Sequence, residues 1–469
     1  MNRDFGLRQI LVLLLLLTVI LSPRPIAGLL EADSARRLEA AGDPAGAESA
    51  YVDAAQRLPW QPSLWERAGF SALAAGQPQA AIQHFQQAQA AGHFSQAGWV
   101  GLGDASLLTG DGLSAIQDWK HALQDFEPAA EVCIRLGRQY RSLGNFEAAL
   151  GYFQQAVSLA PADAGAHYQL GLLLAASQPA KALPDLVQAG QLDPSLAPGV
   201  QSLRTAINTA LLSDQPGRAF LGTGQALAAL GEWDLAGEAF RNAAAADSRD
   251  AEAWAWLAEA RQQGGQDGSS EIRQALSLNP DSALVQGLYG LYLQRQGRLE
   301  EARTAFLRAV ARQPEDAGWQ LALGSLSEQT GDLIAARAYL MRAVELAPDS
   351  LPAWRAITAF SLRNGLELTT TGLLAARRLI QLAPDDWQSF DLAGQVLLDT
   401  GDTAGAEVLL KKALALDPTQ AAPALHLALL YLQTGNQAGA FSYLNQAKAF
   451  DSAGPYGAQA ARLLERYFP

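Results

Sequence analysis

A spacing of 34 residues recurs along this chain and limits its fold more than any single motif does. Gly42, Gly76, Gly110 and Gly144 stand 34 apart, and Ala47, Ala81, Ala115 and Ala149 keep the same interval. So do Tyr51, Phe85, Trp119 and Phe153, followed in step by Ala54, Ala88, Ala122 and Ala156. The interval returns in Pro280, Pro314 and Pro348, in Pro384 and Pro418, in Gly297, Gly331 and Gly365, and in Gly401 and Gly435. Several residue classes moving together at one period mark an array of like units that bury their apolar faces only by stacking.

Each column has a physical role. A glycine followed by Asp43, Asp111, Asn145, Asp332, Asp402 or Asn436 ends one helix in the left-handed conformation, and the polar residue then caps the next. The unit is therefore helix, tight turn, helix. In the second helix the alanine, the aromatic and the second alanine fall at i, i+4 and i+7, on one face. Proline closes that helix, as at Pro161, Pro314, Pro348 and Pro418. First helices carry Trp65 with Gly69, Trp99 with Leu102-Gly103, and Leu136-Gly137 with Tyr140, and Leu-Gly repeats at 170–171 and 323–324. A mid-helix glycine costs about 1 kcal/mol against alanine, so its recurrence predicts another helix crossing closely over it.

The set Trp, Leu-Gly, Tyr, Ala, aromatic, Ala and Pro over 34 residues resembles the tetratricopeptide repeat. The resemblance covers nearly everything after residue 28 and implies an all-α solenoid, a right-handed superhelix of about twelve helix-turn-helix repeats. Units are read at 28–61, 62–95, 96–129, 130–163, 164–194, 217–250, 251–282, 283–316, 317–350, 351–386, 387–420 and 421–454. The unit ending at Pro280 is shortened around Gly264–Gly268, and the one containing Leu366-Glu367-Leu368-Thr369 is lengthened by two. Residues 195–216 break the rhythm: Val200, Leu203, Ile207 and Leu211 form one apolar face, predicting an extra helix between a first block, 28–194, and a second, 217–454. Residues 455–469, with Ala458, Ala461, Leu464 and Tyr467 on one face, are expected to cap the array.

At the amino end, Arg3 and Arg8 precede an apolar run from Ile10 to Leu21 that stops at Ser22-Pro23-Arg24-Pro25. Twelve residues fall short of the ~20 a spanning helix needs. Residues 1–28 read as an export segment with its basic flank in the cytoplasm, either a cleaved signal peptide or a retained anchor. The expected location is outside the cytoplasm, tethered to the cytoplasmic membrane or secreted, with membrane contact through this segment only.

Charge and composition exclude several classes. Thirty-four basic against 47 acidic residues give a net charge of −13, which repels phosphate backbones and argues against nucleic acid. A lone Cys133 excludes an intramolecular disulfide framework and multi-cysteine zinc. His84, His93, His121, His167 and His426 show no i, i+4 pair for a helical zinc site. Gly101-Leu102-Gly103-Asp104 and Gly222-Thr223-Gly224 follow no strand and include packing glycines, and no Gly-Lys dipeptide supports a phosphate loop. Asp399, Asp402 and Glu407 have the wrong spacing for calcium. No cofactor, metal or catalytic set is expected, and the chain reads as non-enzymatic.

The family resemblance implies that first helices line a concave groove that binds proteins or peptides. Residues flanking the first-helix packing face include Leu172 and the candidate partner-binding set Phe70, Arg138, Arg141, Tyr168, Gln262, Arg355 and Leu429. Arg138 and Arg141 lie about one turn apart and suit an acidic side chain, with Glu131 as an alternative intrachain partner. The expected function is a scaffold for partner proteins. The alternative is an accessory subunit binding glycan or lipid in envelope assembly, with exposed tryptophans such as Trp60, Trp233, Trp256 and Trp387 stacking on sugar rings.

Overall fold

The computed structural model describes residues 23–92, 94–212 and 215–468. The export segment predicted at the amino end lies outside these up to residue 22, and residues 23–28 form the opening turns of the first helix. The described residues form 26 α-helices and no strand, and no helix among them is long and apolar enough to cross a membrane.

The chain divides into two compact units, residues 1–246 and 247–469. The first holds the pairs α1–α2 (Pro23–Ala40, Pro44–Arg57), α3–α4 (Ser63–Ala74, Pro78–Ala90), α5–α6 (Gln96–Leu108, Gly112–Gln124), α7–α8 (Ala130–Ser142, Phe146–Leu159) and α9–α10 (Ala164–Ser177, Pro179–Leu192). A single helix α11 (Ala197–Leu211) and the pair α12–α13 (Pro216–Ala229, Trp233–Ala246) complete it. The second holds α14–α15 (Ala251–Gln263, Ser269–Leu278), α16–α17 (Ala283–Arg295, Leu299–Arg312), α18–α19 (Ala317–Gln329, Leu333–Leu346), α20–α21 (Leu351–Asn364, Leu373–Leu382), α22–α23 (Trp387–Asp399, Thr403–Leu416) and α24–α25 (Ala421–Thr434, Gln437–Phe450). A last helix, α26 (Pro455–Tyr467), follows. The architecture is an all-α solenoid of helix pairs.

The turns follow the chemistry read from sequence. Gly110 has φ +89°, a conformation that penalises any side chain, and the next residue, Asp111, accepts from the Ser114 backbone N–H at 3.0 Å. Asp43, Asn145, Asp332, Asp402 and Asn436 cap their helices in the same way, each such cap stabilising by about 1 kcal/mol. The two-residue lengthening after α20 is absorbed in a π turn, Leu368–Gly372, entered through Glu367 at φ +50°. The shortened unit has a second helix of ten residues, α15, with no such turn before it.

The core is the alanine and aromatic columns. Ala47, Ala81, Ala115 and Ala149 are fully buried, as are Tyr51, Phe85, Phe153 and, nearly so, Trp119. The mid-helix glycines face the ring or leucine of the same pair's second helix. A Cβ on Gly137 would lie 2.8 Å from the Phe153 ring, and one on Gly324 would lie 2.7 Å from Leu340. A methyl group has no room there, which outweighs glycine's weak helix propensity.

One recurring contact escaped the sequence reading. The fourth residue of several first helices donates to a backbone carbonyl six residues earlier. Trp254 Nε1 donates to Ser248 O at 3.0 Å, Gln286 Nε2 to Pro280 O at 2.6 Å and Trp354 Nε1 to Pro348 O at 2.7 Å. Tryptophan and glutamine look unrelated in sequence, yet each supplies an N–H on a planar group of suitable reach.

Two apolar faces differ from expectation. In α11, Val200, Leu203 and Ile207 are buried, whereas Leu211 is exposed near the helix end. In α26 the inward residues are Gly457 and Ala460, with Leu463, Leu464 and Phe468 packed on the core. Ala458 and Tyr467 point to solvent. Asp451 accepts from the backbone N–H groups of Tyr456 and Gly457, and so fixes the rotation of α26.

Replacing Ala336, fully buried in its column, by Leu should overpack the crossing and destabilise by about 1–3 kcal/mol. Glu301→Gln changes an exposed residue paired only with Arg298 three positions away and should leave the melting temperature within about 1 °C. Differential scanning calorimetry on the two variants distinguishes them; equal shifts would contradict the assigned columns.

Candidate partner-binding surface

In the first unit, the first-helix face runs over α3, α5 and α7. Phe70 on α3 meets Phe85 edge-on at 5.1 Å, and Gly101 of α5 passes beneath its ring. Between α5 and α7 lies a cavity of about 730 Å³ whose wall includes Leu107, Leu108, Ile134, Arg135 and Arg138. Leu108 is 67% exposed. Arg135 bridges the two helices, donating to both carboxylate oxygens of Asp104 (2.8 and 3.1 Å) and to Glu131 (2.7 Å). Arg138 is exposed on the cavity wall. Glu131 therefore pairs with Arg135.

Arg141, one turn further along α7, is occupied. Its Nε and Nη2 donate to Asp234 at 2.7 and 2.8 Å, Nη2 also reaches Glu232, and Nη1 donates to Gln169 at 2.9 Å. Burial is the largest influence on this guanidinium and alone would lower its pKa. The hydrogen bonds and charges of Asp234 and Glu232 outweigh it and hold the pKa above the ordinary arginine value. These carboxylates belong to the α12–α13 hairpin, which packs back against α9, where Asn242 donates to Ala176 O at 3.1 Å. Every residue of α9 from Leu170 to Ala176 is buried as a result, so Leu172 is core. A helix apolar around its whole circumference is one covered on more than one side. Tyr168, half-buried on α9, has its hydroxyl beside Gly199 of α11.

The second unit stitches neighbouring first helices in the same manner. Glu259, 5% exposed, takes two bonds from Arg295 at 2.5 and 2.6 Å, and Gln262 accepts from the same guanidinium at 2.8 Å. Glu328 takes two from Arg363 (3.0 and 2.7 Å), Arg355 pairs with Asp386 at 2.6 Å, and Asp391 with His426 at 2.7 Å. Leu429, half-buried, packs on the cluster of Leu425, Leu444 and Ala460. Of the sequence-derived candidates, Phe70 and Arg138 share the open face of the first unit. Arg141, Gln262 and Arg355 are engaged within the chain. The cross-helix pairs span 31 to 36 residues, about one repeat, and a search for acidic residues matched with arginine or histidine at that offset would have exposed them.

No group of three or more metal-ligating side chains converges among the described residues. Asp402 is a helix cap, while Glu407 accepts from Lys411 and Tyr431. Cys133 is buried, and burial pushes its thiol up to about 11, the opposite of nucleophile activation.

Family models described as "Tetratricopeptide repeat" match residues 66–129, 257–310, 288–350 and 397–466, and one described as "TPR repeat" matches 137–178. The chain belongs to the tetratricopeptide repeat family. Members are typically non-enzymatic scaffolds. No curated protein matches it. Among solved structures, yeast Tom70 is similar at 15% identity over 87% of this chain and 96% of that one, with a TM-score of 0.41. PilW, described as a widely conserved type IV pilus biogenesis factor, is similar at 22% identity over 53% of this chain and 100% of that one, TM-score 0.35. YrrB, described as a TPR protein with an unusual peptide-binding site, is similar at 15% identity over 41% and 97%, TM-score 0.34.

Two outcomes follow from these contacts. Arg141→Leu leaves Asp234 and Glu232 without their cation, so hydrogen exchange across 216–246 should accelerate several-fold while α1–α4 are unchanged. Unaltered exchange would show that the ion pair does not hold the hairpin. Asp118 on α6 has its carboxyl pushed up to about 6, mainly by burial and only partly offset by Ser106. A raised carboxylate pKa means stability present below the unfolded value is lost as pH rises through the folded one. Asp118→Asn should therefore raise the melting temperature near pH 7, with the gain vanishing by about pH 4.

Proposed function

We propose that this protein is a non-enzymatic scaffold that binds partner proteins on its first-helix faces, exported and tethered to the cytoplasmic membrane or secreted. The repeat coverage supports the scaffold reading, because the helix pairs bury their apolar faces by stacking on one another. The observation that carries the binding reading is the open α5–α7 cavity of the first unit. Leu107, Leu108 and Ile134 present apolar surface there, while Arg135 is held between the carboxylates of Asp104 and Glu131. An apolar floor with a polar rim that includes the exposed Arg138 suits a protein segment. The apolar run Ile10–Leu21 behind Arg3 and Arg8 supports export.

The test is crosslinking of the full chain in its native envelope, followed by proximity labelling for the side of the membrane. The double variant Leu107→Glu, Leu108→Glu should retain its melting temperature within about 2 °C, since both side chains line the cavity and are exposed, while losing at least tenfold in crosslinked partner. Partner capture equal to the parent chain would reject this face, and labelling confined to cytoplasmic proteins would reject export.

A further inference from the structure

The second unit contains a pocket whose unfilled groups call for a positive charge. It has a volume of about 460 Å³, between α20, α22 and α24, and its lining includes Trp387, Asp391, Gln395, His426 and Tyr456. Asp391 is 5% exposed. Its Oδ1 lies 2.7 Å from His426 Nδ1, and its Oδ2 accepts from Gln395 Nε2 at 3.0 Å. An ionised carboxylate can only accept, so a neutral His426 carries its proton on Nδ1 and Nε2 is left as an acceptor. Gln395 uses one N–H of its amide on Asp391 and keeps its second N–H and its carbonyl oxygen. Neither His426 Nε2 nor Gln395 Oε1 has a hydrogen-bond partner among the described residues. The guanidinium in the lining, Arg363, is bonded through Nε and Nη2 to Glu328, so its charge is already matched. Trp387 and Tyr456 line the same pocket as these two acceptors and the carboxylate, and an aromatic ring attracts a cation set over its face.

We propose that this pocket receives a lysine or arginine side chain of a partner protein. The inference rests on the partner-binding reading and adds the chemistry that the second unit selects. Only a cationic donor satisfies both vacant acceptors and matches the Asp391 charge. A sugar hydroxyl supplies donors without the charge, and an acidic side chain supplies neither.

The test uses the full chain, following the Trp387 indole N–H by nuclear magnetic resonance, its signal assigned through Trp387→Phe. The probes are blocked pentapeptides Gly-Gly-X-Gly-Gly with X as Lys, Arg, Leu or Glu, and a methyl glycoside. Lys and Arg peptides should shift the signal saturably, with the others inert. Asp391→Asn removes the charge but keeps an oxygen for His426, and should weaken the Lys peptide at least tenfold. Ionic strength gives a second reading that does not depend on how that variant folds. Raising salt from about 50 to about 500 mM should weaken Lys binding several-fold. Response to the Leu peptide equal to Lys, response to the glycoside, salt-insensitive binding, or no response to any probe would each overturn the proposal. If partner crosslinking that depends on Leu107 and Leu108 persists in that case, the inference alone fails; if both are absent, the scaffold reading fails with it.

Discussion

The contact on which the structure depends is a backbone without a side chain pressed against a ring. In pair after pair, a first-helix glycine lies under the aromatic or leucine of its own second helix, as Gly69 does under Phe85 and Gly290 under Phe306. Alanines on either side of that residue are fully buried, so the helices approach as closely as their backbones allow. Close approach makes each unit thin and leaves its remaining faces for the next unit. Regular stacking is the consequence, and it is why the array accommodates a shortened second helix in one unit and a π turn in another without losing register.

Stacking also governs the electrostatics. First helices of successive units lie near enough for a carboxylate on one to meet a guanidinium or imidazole on the next, and Asp104–Arg135, Glu259–Arg295, Glu328–Arg363 and Asp391–His426 all do so. The net charge of −13 is thus not spread evenly over the face that would meet a partner. Most ionic groups there are paired within the chain, and specificity falls to what is left over. In the first unit that remainder is apolar surface with Arg138; in the second it is a pocket of acceptors.

The α12–α13 hairpin shows how the chain uses its own surface. By returning against α9 and engaging Arg141 it buries one part of the first-helix face permanently, while the part around α5 and α7 stays open. Arg138 and Arg141 lie one turn apart on the same helix, yet one is a surface group and the other a structural one.

The repeat period, the helix-turn-helix unit, the glycine turns with their Asp and Asn caps, and the buried columns were all legible in the sequence, because each is set by residues within about 34 positions of one another. The Trp254, Gln286 and Trp354 tethers were hidden because different side chains perform the same donation. The roles of Phe70, Arg138, Arg141 and Gln262 could not be sorted in advance, since periodicity fixes which face of a helix a residue occupies but not what packs opposite it. The order of small and large side chains determined by itself that the chain would become stacked helix pairs. Only the tertiary structure decided which face stayed open, because that depends on where a hairpin some 90 residues distant comes to rest.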